Sequence, residues 1–256
     1  MIYTPLVVLF STSYRTWNND LLIKSQIDLI NKISKIYKNK LNLPDYSNPI
    51  IGIHYWEEEF GYLPHLDGIE RVSPMYPPDD IMKFHFMHER NKQLETSECN
   101  LIYNIQSTER ALKMADILHN KLYNCSIPEN QLILRIRPDL MIKYEDTTIL
   151  ENCDLNSYFY LSNTNTNDRP NVPYNSPEIG DVMVFTNKKS LNKLFSIPHS
   201  KYEFIYEESR KNKERIVSFS EQYLYNLLDY IGISVIQDTN ILFKLLRKDH
   251  YRILSW

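Results

Sequence analysis

A chain of 256 residues is long enough for one large α/β domain and short for two independent ones. Its 43% of hydrophobic and 24% of charged residues are ordinary for a globular protein and exclude a disordered or fibrous chain. The formal net charge of −3 at pH 7 gives no overall attraction to phosphate polymers, so we expect no nucleic-acid partner. The 3 cysteines have no metal-type spacing, which argues against a zinc site and favours a reducing cytoplasm.

The N-terminal part of the chain alternates apolar runs with a helical pattern. The run from Leu6 to Ser11 and the run over residues 49–54 each predict a buried strand. Between them, apolar residues recur about every 3.6 positions, which predicts a helix with an inner face of Ile23, Ile27, Ile30, Ile33 and Tyr37. This alternation is typical of βαβ units around a mainly parallel sheet.

The middle of the chain opens with an aperiodic segment. Residues 61–92 contain several prolines and no regular pattern, so we predict a long surface loop of the kind that is functional or mobile. A helix is predicted from about residue 95 to 123, followed by a strand over residues 131–137. The apolar positions that mark the helix are Ile102, Ile105, Leu112, Ala115, Leu118 and Leu122.

The C-terminal part predicts further strands and one helix. The strands are expected over residues 158–161, 181–185 and 233–236. A helix starts near Ser218, which forms a capping box with Glu221, and Gly232 can end it. The segment around residues 244–256 is expected to be a tail. All these elements together predict a single domain over residues 1–256.

The most informative stretch is the charged end of the apolar strand over residues 131–137. Arg135 and Arg137 share a parity in that strand, and Asp139 continues it. Pro138 should end the strand, which places Asp139 at the carboxyl edge of the sheet, where α/β proteins bind ligands. The cluster could supply positive charge to a diphosphate, or a carboxylate to a metal. The alternative is that both arginines pair with acidic neighbours and Asp139 caps a turn.

Glycine-rich phosphate loops are missing from the sequence. With only 5 glycines, the chain has no Walker or G-x-G-x-x-G motif. This makes a nucleotidyltransferase, which would need a glycine-rich triphosphate loop after the first strand, a weaker hypothesis.

Four short motifs occur in a fixed order along the chain. They are Ser13-Tyr14-Arg15-Thr16, Ile53-His54-Tyr55-Trp56, Arg135-Ile136-Arg137-Pro138-Asp139 and Gly180-Asp181. In order and spacing they resemble the G-Q-x-R-T, I-H-T-W, R-x-R-P-D and G-D motifs of bacterial capsule and lipopolysaccharide glycosyltransferases. The first motif departs from the pattern by lacking Gly-Gln, the second by having Tyr55. Where many GT-A enzymes have a metal-binding D-x-D, this chain keeps the second carboxylate, Asp139.

The resemblance implies a fold and an activity. It implies a GT-A-like single domain, with a Rossmann-like, mainly parallel sheet flanked by helices. The implied activity is transfer of a monosaccharide from a nucleotide diphosphate sugar to a hydroxyl of a growing surface glycan. It also implies a glycan or lipid-linked glycan acceptor and a cytoplasmic location at the inner face of the membrane, with peripheral membrane association. The alternative is a noncatalytic nucleotide-sugar-binding protein that keeps the fold.

The resemblance also suggests roles for individual residues. The expected donor and nucleotide contacts are Arg15, His54, Trp56, Arg135, Arg137, Asp139 and His250. Asp181 and Glu221 are candidate bases, and Asp139 would hold a divalent cation, Mn or Mg, if one is used. Simpler roles stay open for each: a solvated Arg15, a core His54 and Trp56, a turn Asp181, a capping Glu221 and a solvated tail around His250.

Overall fold

The computed structural model describes most of the elements that were predicted. The described residues are 5–11, 20–41, 48–54, 92–137, 140–143, 158–161, 183–198, 201, 220–238 and 242–245. The predicted loop over residues 61–92 lies outside them except for Lys92, which is the first residue of a helix that was predicted to start near residue 95. Ser218 of the predicted capping box and most of the predicted tail also lie outside them.

Eight strands and four helices follow one another in the described part of the chain. They are β1 (Val7–Phe10), α1 (Asp20–Leu41), β2 (Ile50–Ile53), α2 (Lys92–Tyr123), β3 (Leu132–Ile136), β4 (Leu140–Lys143), β5 (Tyr158–Leu161), β6 (Met183–Asn187), α3 (Lys188–Phe195), α4 (Ser220–Tyr230), β7 (Val235–Asp238) and β8 (Leu242–Leu245). None of the helices in this part of the chain is long and apolar enough to cross a membrane.

Six of the strands form one sheet in the order β2-β1-β3-β6-β5-β7. Strand β1 is parallel to both β2 and β3, and β5 is parallel to β7. Strand β6 is antiparallel to both of its neighbours, so the other five strands of this sheet run in one direction. Strands β4 and β8 form a separate antiparallel pair. The predicted α/β class, with a mainly parallel sheet flanked by helices, is confirmed.

Strands β1 and β3 are buried on both faces of the sheet. Val7 and Leu9 of β1 pack with Ala111 and Ala115 of α2, and the alternate residue Val8 is 0% exposed. Strands that are covered on both sides need continuous apolar sequences rather than alternating ones. This is why the runs that predicted β1, β2 and β3 were recognisable from the sequence.

Helix α2 crosses β2 at very short range. A Cβ atom on Gly52 would lie 2.1 Å from the carbonyl oxygen of Ala111 and 3.0 Å from the Cβ of Ala115. Only a residue without a side chain lets the helix backbone approach this closely. Gly52 therefore fixes the height of α2 above the sheet.

Helix α1 is attached to both ends of β3. At the start of the strand, Gln131 Nε2 donates to the Tyr37 hydroxyl at 2.7 Å. Beyond its end, Gln26 Nε2 donates to the carbonyl oxygen of Arg137 at 3.3 Å. Helix α1 therefore runs antiparallel to β3, and its N-terminal turns lie near the carboxyl end of the strand.

Several details of the predicted elements were wrong. Ile27 is 44% exposed and Leu122 is 60% exposed, so neither belongs to the inner face of its helix, whereas the predicted Leu112 is buried. Strand β7 begins at Val235, two residues after its predicted start at residue 233. Residues 181 and 182, at the predicted start of β6, lie outside the described residues. Strand β8 occupies the start of the predicted tail, and β4 and α3 were not predicted. These are short elements, four to eight residues long, too short to show a clear period.

The predicted end of the last helix is confirmed. Gly232 has a φ of 67°, in the left-handed region that favours glycine. Its N–H donates to the carbonyl of Asp229 at 3.0 Å, and Ile233 N–H donates to Leu228 at 2.9 Å. These bonds satisfy carbonyl groups that the helix end would otherwise expose.

Candidate functional site

Polar side chains are concentrated at the carboxyl ends of β1, β2 and β3. Ser11 follows β1, His54 follows β2, and Arg135 is the next-to-last residue of β3. Helix α2 contributes polar residues to the same place. We refer to these seven residues as the polar cluster: Ser11, His54, Asn104, Ser107, Thr108, Arg110 and Arg135.

Arg135 connects β1 to α2. Its side chain is only 3% exposed. Its Nε donates to Ser11 Oγ at 2.9 Å, and its Nη2 donates to Asn104 Oδ1 at 2.5 Å. A guanidinium group is costly to bury unless hydrogen bonds and its surroundings stabilise the charge. The cluster therefore holds a positive charge in a defined orientation at the end of β3.

Hydroxyl groups extend this network along α2. Ser11 Oγ and Thr108 Oγ1 lie 3.0 Å apart, although the residues are 97 positions apart in the sequence. Thr108 Oγ1 also donates to the carbonyl of Asn104 at 2.8 Å, one turn earlier in the helix. The end of β1 is thus bonded to the same helical turn that binds Arg135.

His54 is fully buried and neutral near pH 7. Its Nδ1 lies 2.8 Å from Ser107 Oγ. Burial and, as the smaller cause, the nearby charge of Arg110 together lower the pKa of the imidazole to about 4. His54 therefore experiences a positive local potential. Arg110 and Arg135 are the positively charged members of the cluster.

The cluster lies where the chain connections change direction. The chain passes from β1 through α1 to β2 on one side, and from β2 through α2 to β3 on the other side of β1. Such a reversal is a topological switch point, and α/β sheets bind ligands outside the carboxyl ends of the strands at that point. The hydrogen bond from Arg135 to Ser11 joins the ends of the two strands that flank it.

Gln26 holds the segment that follows β3. Its Nε2 donates to the carbonyls of Arg137 at 3.3 Å and Leu140 at 3.0 Å, and the side chain is 2% exposed. Leu140 N–H also donates to Arg137 O at 3.2 Å. Both residues that flank Pro138 and Asp139 are therefore fixed. Arg137 itself is half-buried, and so more accessible than Arg135.

Comparison with known proteins includes a weak structural similarity. No family model matches the sequence, and no curated protein matches it. The crystal structure of a galactosyltransferase, LgtC, in complex with donor and acceptor sugar analogues, is similar with a TM-score of 0.39 and 13% sequence identity. The similarity covers 91% of this chain and 72% of that chain. A likeness this low carries no argument about activity, so the site must be judged on its own geometry.

The described residues include some of the predicted site. The structure places His54 and Arg135 in the polar cluster, each bonded to a residue of helix α2, and Arg137 directly follows β3. Glu221 lies in the first turn of α4, but its side chain is outside the described residues. Also outside them are Arg15, Trp56, Asp139, Asp181 and His250, whose roles stay predictions. The full burial of His54 is what the core-histidine alternative predicts.

Sequence reasoning missed the members of the cluster that α2 contributes. Asn104, Ser107 and Thr108 lie on the inner face of α2. Further along the same face, toward the amino end of β2, this face consists of small apolar residues, Ala111 and Ala115. Polar residues at helical spacing on an otherwise apolar inner face were the available signal. It indicates that the helix covers a polar region at one end and a hydrophobic core at the other.

The described part of the cluster does not fit a divalent cation. Its charged members are arginines, whereas Mn and Mg are bound by carboxylate oxygens. Among the described residues, no group of three or more His, Cys, Asp or Glu side chains could hold a metal ion. The predicted metal ligand, Asp139, lies outside them, so the metal remains an expectation.

Proposed function

We propose that this chain is a glycosyltransferase that moves a monosaccharide from a nucleotide diphosphate sugar to a hydroxyl of a growing surface glycan. The observation that carries the proposal is the hydrogen bond between Arg135 and Ser11, which holds a buried positive charge at the topological switch point. A donor diphosphate is an anion of the kind that such a site favours.

The two arginines near the end of β3 would serve the donor differently. Arg137 is half-buried just beyond the strand, so its planar guanidinium can make bidentate contacts with diphosphate oxygens. Arg135 is held inside the cluster, where its charge contributes to the potential and its hydrogen bonds fix Ser11 and Asn104. Both arginines thus place positive charge near the diphosphate, one by contact and one by its field.

The reaction needs charge stabilisation and a proton acceptor. The acceptor hydroxyl bonds to the anomeric carbon while the bond from that carbon to the diphosphate oxygen breaks. Negative charge develops on the leaving diphosphate, where fixed positive groups stabilise the transition state. If the reaction inverts the anomeric configuration, a carboxylate takes the hydroxyl proton. Asp181 is our first candidate for that base, and Glu221 is the second.

A binding experiment tests the donor site. We would measure the thermal stability of the protein with nucleoside diphosphates and their sugars, with and without manganese or chelator. A ligand that binds the folded state raises the apparent stability. Arg137→Lys should weaken the affinity for the best ligand at least tenfold, because lysine offers one point charge instead of a fork. Lys189→Gln is the control: Lys189 is exposed at the start of α3, at the opposite edge of the sheet.

The outcomes separate the proposal from its alternatives. Binding without release of nucleoside diphosphate, under any acceptor tested, would favour the noncatalytic nucleotide-sugar-binding protein. Binding that disappears with chelator while Arg137→Lys binds normally would show that a metal carries the charge. If no nucleoside diphosphate or nucleotide sugar stabilises the wild type, the proposed donor site is wrong.

A further inference from the structure

Four hydrogen bonds join the ends of β1 and β3 to helix α2 in a closed ring. Arg135 donates from Nε to Ser11 Oγ at 2.9 Å and from Nη2 to Asn104 Oδ1 at 2.5 Å. Thr108 closes the ring, because its Oγ1 lies 3.0 Å from Ser11 Oγ and 2.8 Å from the carbonyl oxygen of Asn104. We refer to Ser11, Asn104, Thr108 and Arg135 as the hydrogen-bonded ring.

Each bond of the hydrogen-bonded ring has only one possible direction. A threonine hydroxyl carries one hydrogen and a carbonyl oxygen can only accept, so the hydrogen of Thr108 points to Asn104 O. Ser11 must therefore be the donor in its contact with Thr108. A guanidinium group only donates, so the same Ser11 oxygen accepts from Arg135 Nε.

This arrangement fixes the hydroxyl of Ser11. Its hydrogen points to Thr108, and its lone pairs remain for the Nε–H of Arg135. If Thr108 had no hydroxyl, the hydrogen of Ser11 would lose its acceptor, and the hydroxyl could rotate out of the orientation that suits Arg135. Thr108 therefore acts on Arg135 through Ser11.

The hydrogen-bonded ring also fixes the plane of the Arg135 guanidinium group. Nε and Nη2 lie along one edge of this planar group, so two bonds from the same edge determine its orientation. Ser11, Thr108 and Arg135 are at most 7% exposed, which leaves water little access to replace their bonds. Hydrogen bonds in such a low-dielectric interior are stronger than the same bonds in water.

We propose that Thr108 is a positioning residue that holds Arg135 in the orientation needed at the donor site. The attraction between a buried charge and a ligand depends on their distance, so a guanidinium group that can turn contributes less. The link to a donor rests on the proposed function. The effect of Thr108 on Ser11 and Arg135 does not, because it follows from the contacts of the hydrogen-bonded ring.

Two substitutions at Thr108 separate the effect of its hydroxyl from that of its shape. We would titrate the wild type and both variants with ADP, CDP, GDP and UDP, well below the unfolding temperature. Thr108→Val keeps the shape and removes the hydroxyl, so the affinity for the nucleotide that binds best should fall about fivefold, as expected for one lost hydrogen bond. Thr108→Ser keeps the hydroxyl and should bind within twofold of the wild type, although the loss of a buried methyl group lowers its stability. If Thr108→Ser loses as much affinity as Thr108→Val, affinity follows stability rather than the hydroxyl, and the proposal is wrong.

Thr186→Val is the matched control. Thr186 lies in β6 and is 1% exposed, and its hydroxyl makes no hydrogen bond within the part of the chain that the structure describes. The substitution is the same chemical change at a buried position of the same sheet, so nucleotide affinity should stay within twofold of the wild type. Equal losses of affinity in Thr186→Val and Thr108→Val would overturn the proposal.

A double-mutant cycle tests whether Thr108 acts through Ser11. Ser11→Ala and Thr108→Val break the same bond, so the double variant should lose less stability in urea than the sum of the two single variants. In the Ser11→Ala background, Thr108→Val should also weaken nucleotide binding no further. The pair Ser11→Ala and Thr186→Val should be additive. Additive losses of stability in the first pair would show that the hydrogen-bonded ring does not act as a unit, and would contradict the proposal.

The two measurements distinguish this proposal from the proposed function. If a nucleoside diphosphate binds the wild type and Thr108→Val equally well, the donor site stands and the positioning role of Thr108 is wrong. If no nucleoside diphosphate binds the wild type, the proposed function is wrong. The stability cycle contains no ligand, so it then decides alone whether Thr108 holds Arg135 through Ser11.

Discussion

The two edges of the parallel strands β1, β2 and β3 use polar side chains in different ways. At the amino edge, polar side chains hold the backbone of the connecting loop: Gln131 Nε2 donates to Pro5 O at 2.9 Å, and Asp116 Oδ1 accepts from Ile127 N–H at 2.7 Å. Lys188 donates to both Asp116 Oδ1 and Ile127 O at 3.0 Å. Buried backbone groups must be satisfied in any fold, so these bonds are explained by folding alone.

At the carboxyl edge, by contrast, a buried arginine lies at the centre of a network of bonds between side chains. Arg135 donates to Ser11 and Asn104, and His54 pairs with Ser107. A hydrophobic contact of similar shape would often serve stability as well as or better than a buried charged network. On the proposed function, the buried guanidinium at the switch point serves donor binding. The comparison predicts that changes at the amino edge reduce stability, whereas changes at the carboxyl edge reduce ligand binding and turnover.

The largest effect is expected from Gly52→Ala, because α2 carries residues of both edges. The new Cβ would lie 2.1 Å from a backbone carbonyl that cannot move without moving the helix. We expect the free energy of unfolding to fall by about 3 kcal/mol or more, the upper range for overpacking. Urea unfolding would measure it, and nucleotide affinity should fall together with stability.

Gly232→Ala is the contrast to that substitution. A Cβ at Gly232 would meet no atom within 4 Å, so the substitution only places alanine at an unfavourable φ of 67°. We expect this to lower the free energy of unfolding by about 1 kcal/mol. Nucleotide affinity should be unchanged. If Gly52→Ala proves as mild as Gly232→Ala, α2 is not fixed at the height that the structure gives it.

Acid should destabilise the carboxyl edge through His54. The unfolded chain binds a proton on this histidine below about pH 6.5, whereas the folded protein keeps the imidazole neutral down to about pH 4. Stability is therefore lost as the pH falls through this window, by up to about 3 kcal/mol. Urea unfolding between pH 7 and pH 4 would show the slope.

Two variants assign that slope to the imidazole. In His54→Asn the difference in stability between pH 7 and pH 4 should shrink by most of this amount. In Ser107→Ala the hydrogen bond is removed but the buried imidazole remains, so the slope should persist. An unchanged slope in His54→Asn would place the acid sensitivity elsewhere.

At the amino edge, Asp116→Ala should reduce stability and leave function intact. The substitution leaves the Ile127 N–H without its acceptor and removes the salt bridge to Lys188. We expect a loss of about 2 kcal/mol, since an unsatisfied buried donor costs more than an exposed one. The affinity for nucleotides, measured well below the unfolding temperature, should stay within twofold of the wild type. A tenfold loss would mean that the two edges are not independent.

The sequence was sufficient for the parts of this comparison that depend on local patterns. Continuous apolar runs predicted β1, β2 and β3, because a strand that is buried on both faces needs apolar residues at every position. Apolar residues that recur about every 3.6 positions predicted α1, α2 and α4, because a helix that is buried on one side needs them only on that side. Arg135 was noticed since a charge inside an apolar run needs an explanation. The order β2-β1-β3 and the switch point are properties of the assembled sheet, and no local pattern contained them.

The helix side of the cluster could not be placed from the sequence alone. Ser11 and Thr108 are 97 residues apart, and their contact exists because α2 crosses the ends of β1 and β2. Polar residues on the inner face of a helix indicate that something polar lies opposite, but not which strand supplies it. Gln26 was missed for the same reason, since its partners are backbone carbonyls 111 and 114 residues away.

Asp139→Asn should lower turnover at least tenfold, equivalent to about 1.4 kcal/mol of transition-state stabilisation. The change keeps the volume and removes the charge that a metal or sugar contact would need. Gln26 holds the backbone on both sides of Asp139, so we expect the fold not to depend on the charge of Asp139. Steady-state kinetics with a donor that binds would measure the loss, and a folded variant with wild-type turnover would refute the assignment.

The smallest effect is expected from Gln26→Met, which tests whether the bonds to Arg137 and Leu140 position Asp139. Methionine fills a similar volume but donates no hydrogen bond, so each of the two carbonyls loses one hydrogen bond and stability should fall by about 1 kcal/mol. Gln131→Met makes the same chemical change at the amino edge, where Gln131 bonds Pro5 O, and should cost similar stability. If the comparison of the edges is right, turnover falls about threefold in Gln26→Met and is unchanged in Gln131→Met.

A double variant tests whether Gln26 acts through Asp139. The effects of residues that act as a unit are not additive, so adding Gln26→Met to Asp139→Asn should lower turnover no further. A further threefold loss in the double variant would show that Gln26 affects turnover by a route that does not involve Asp139.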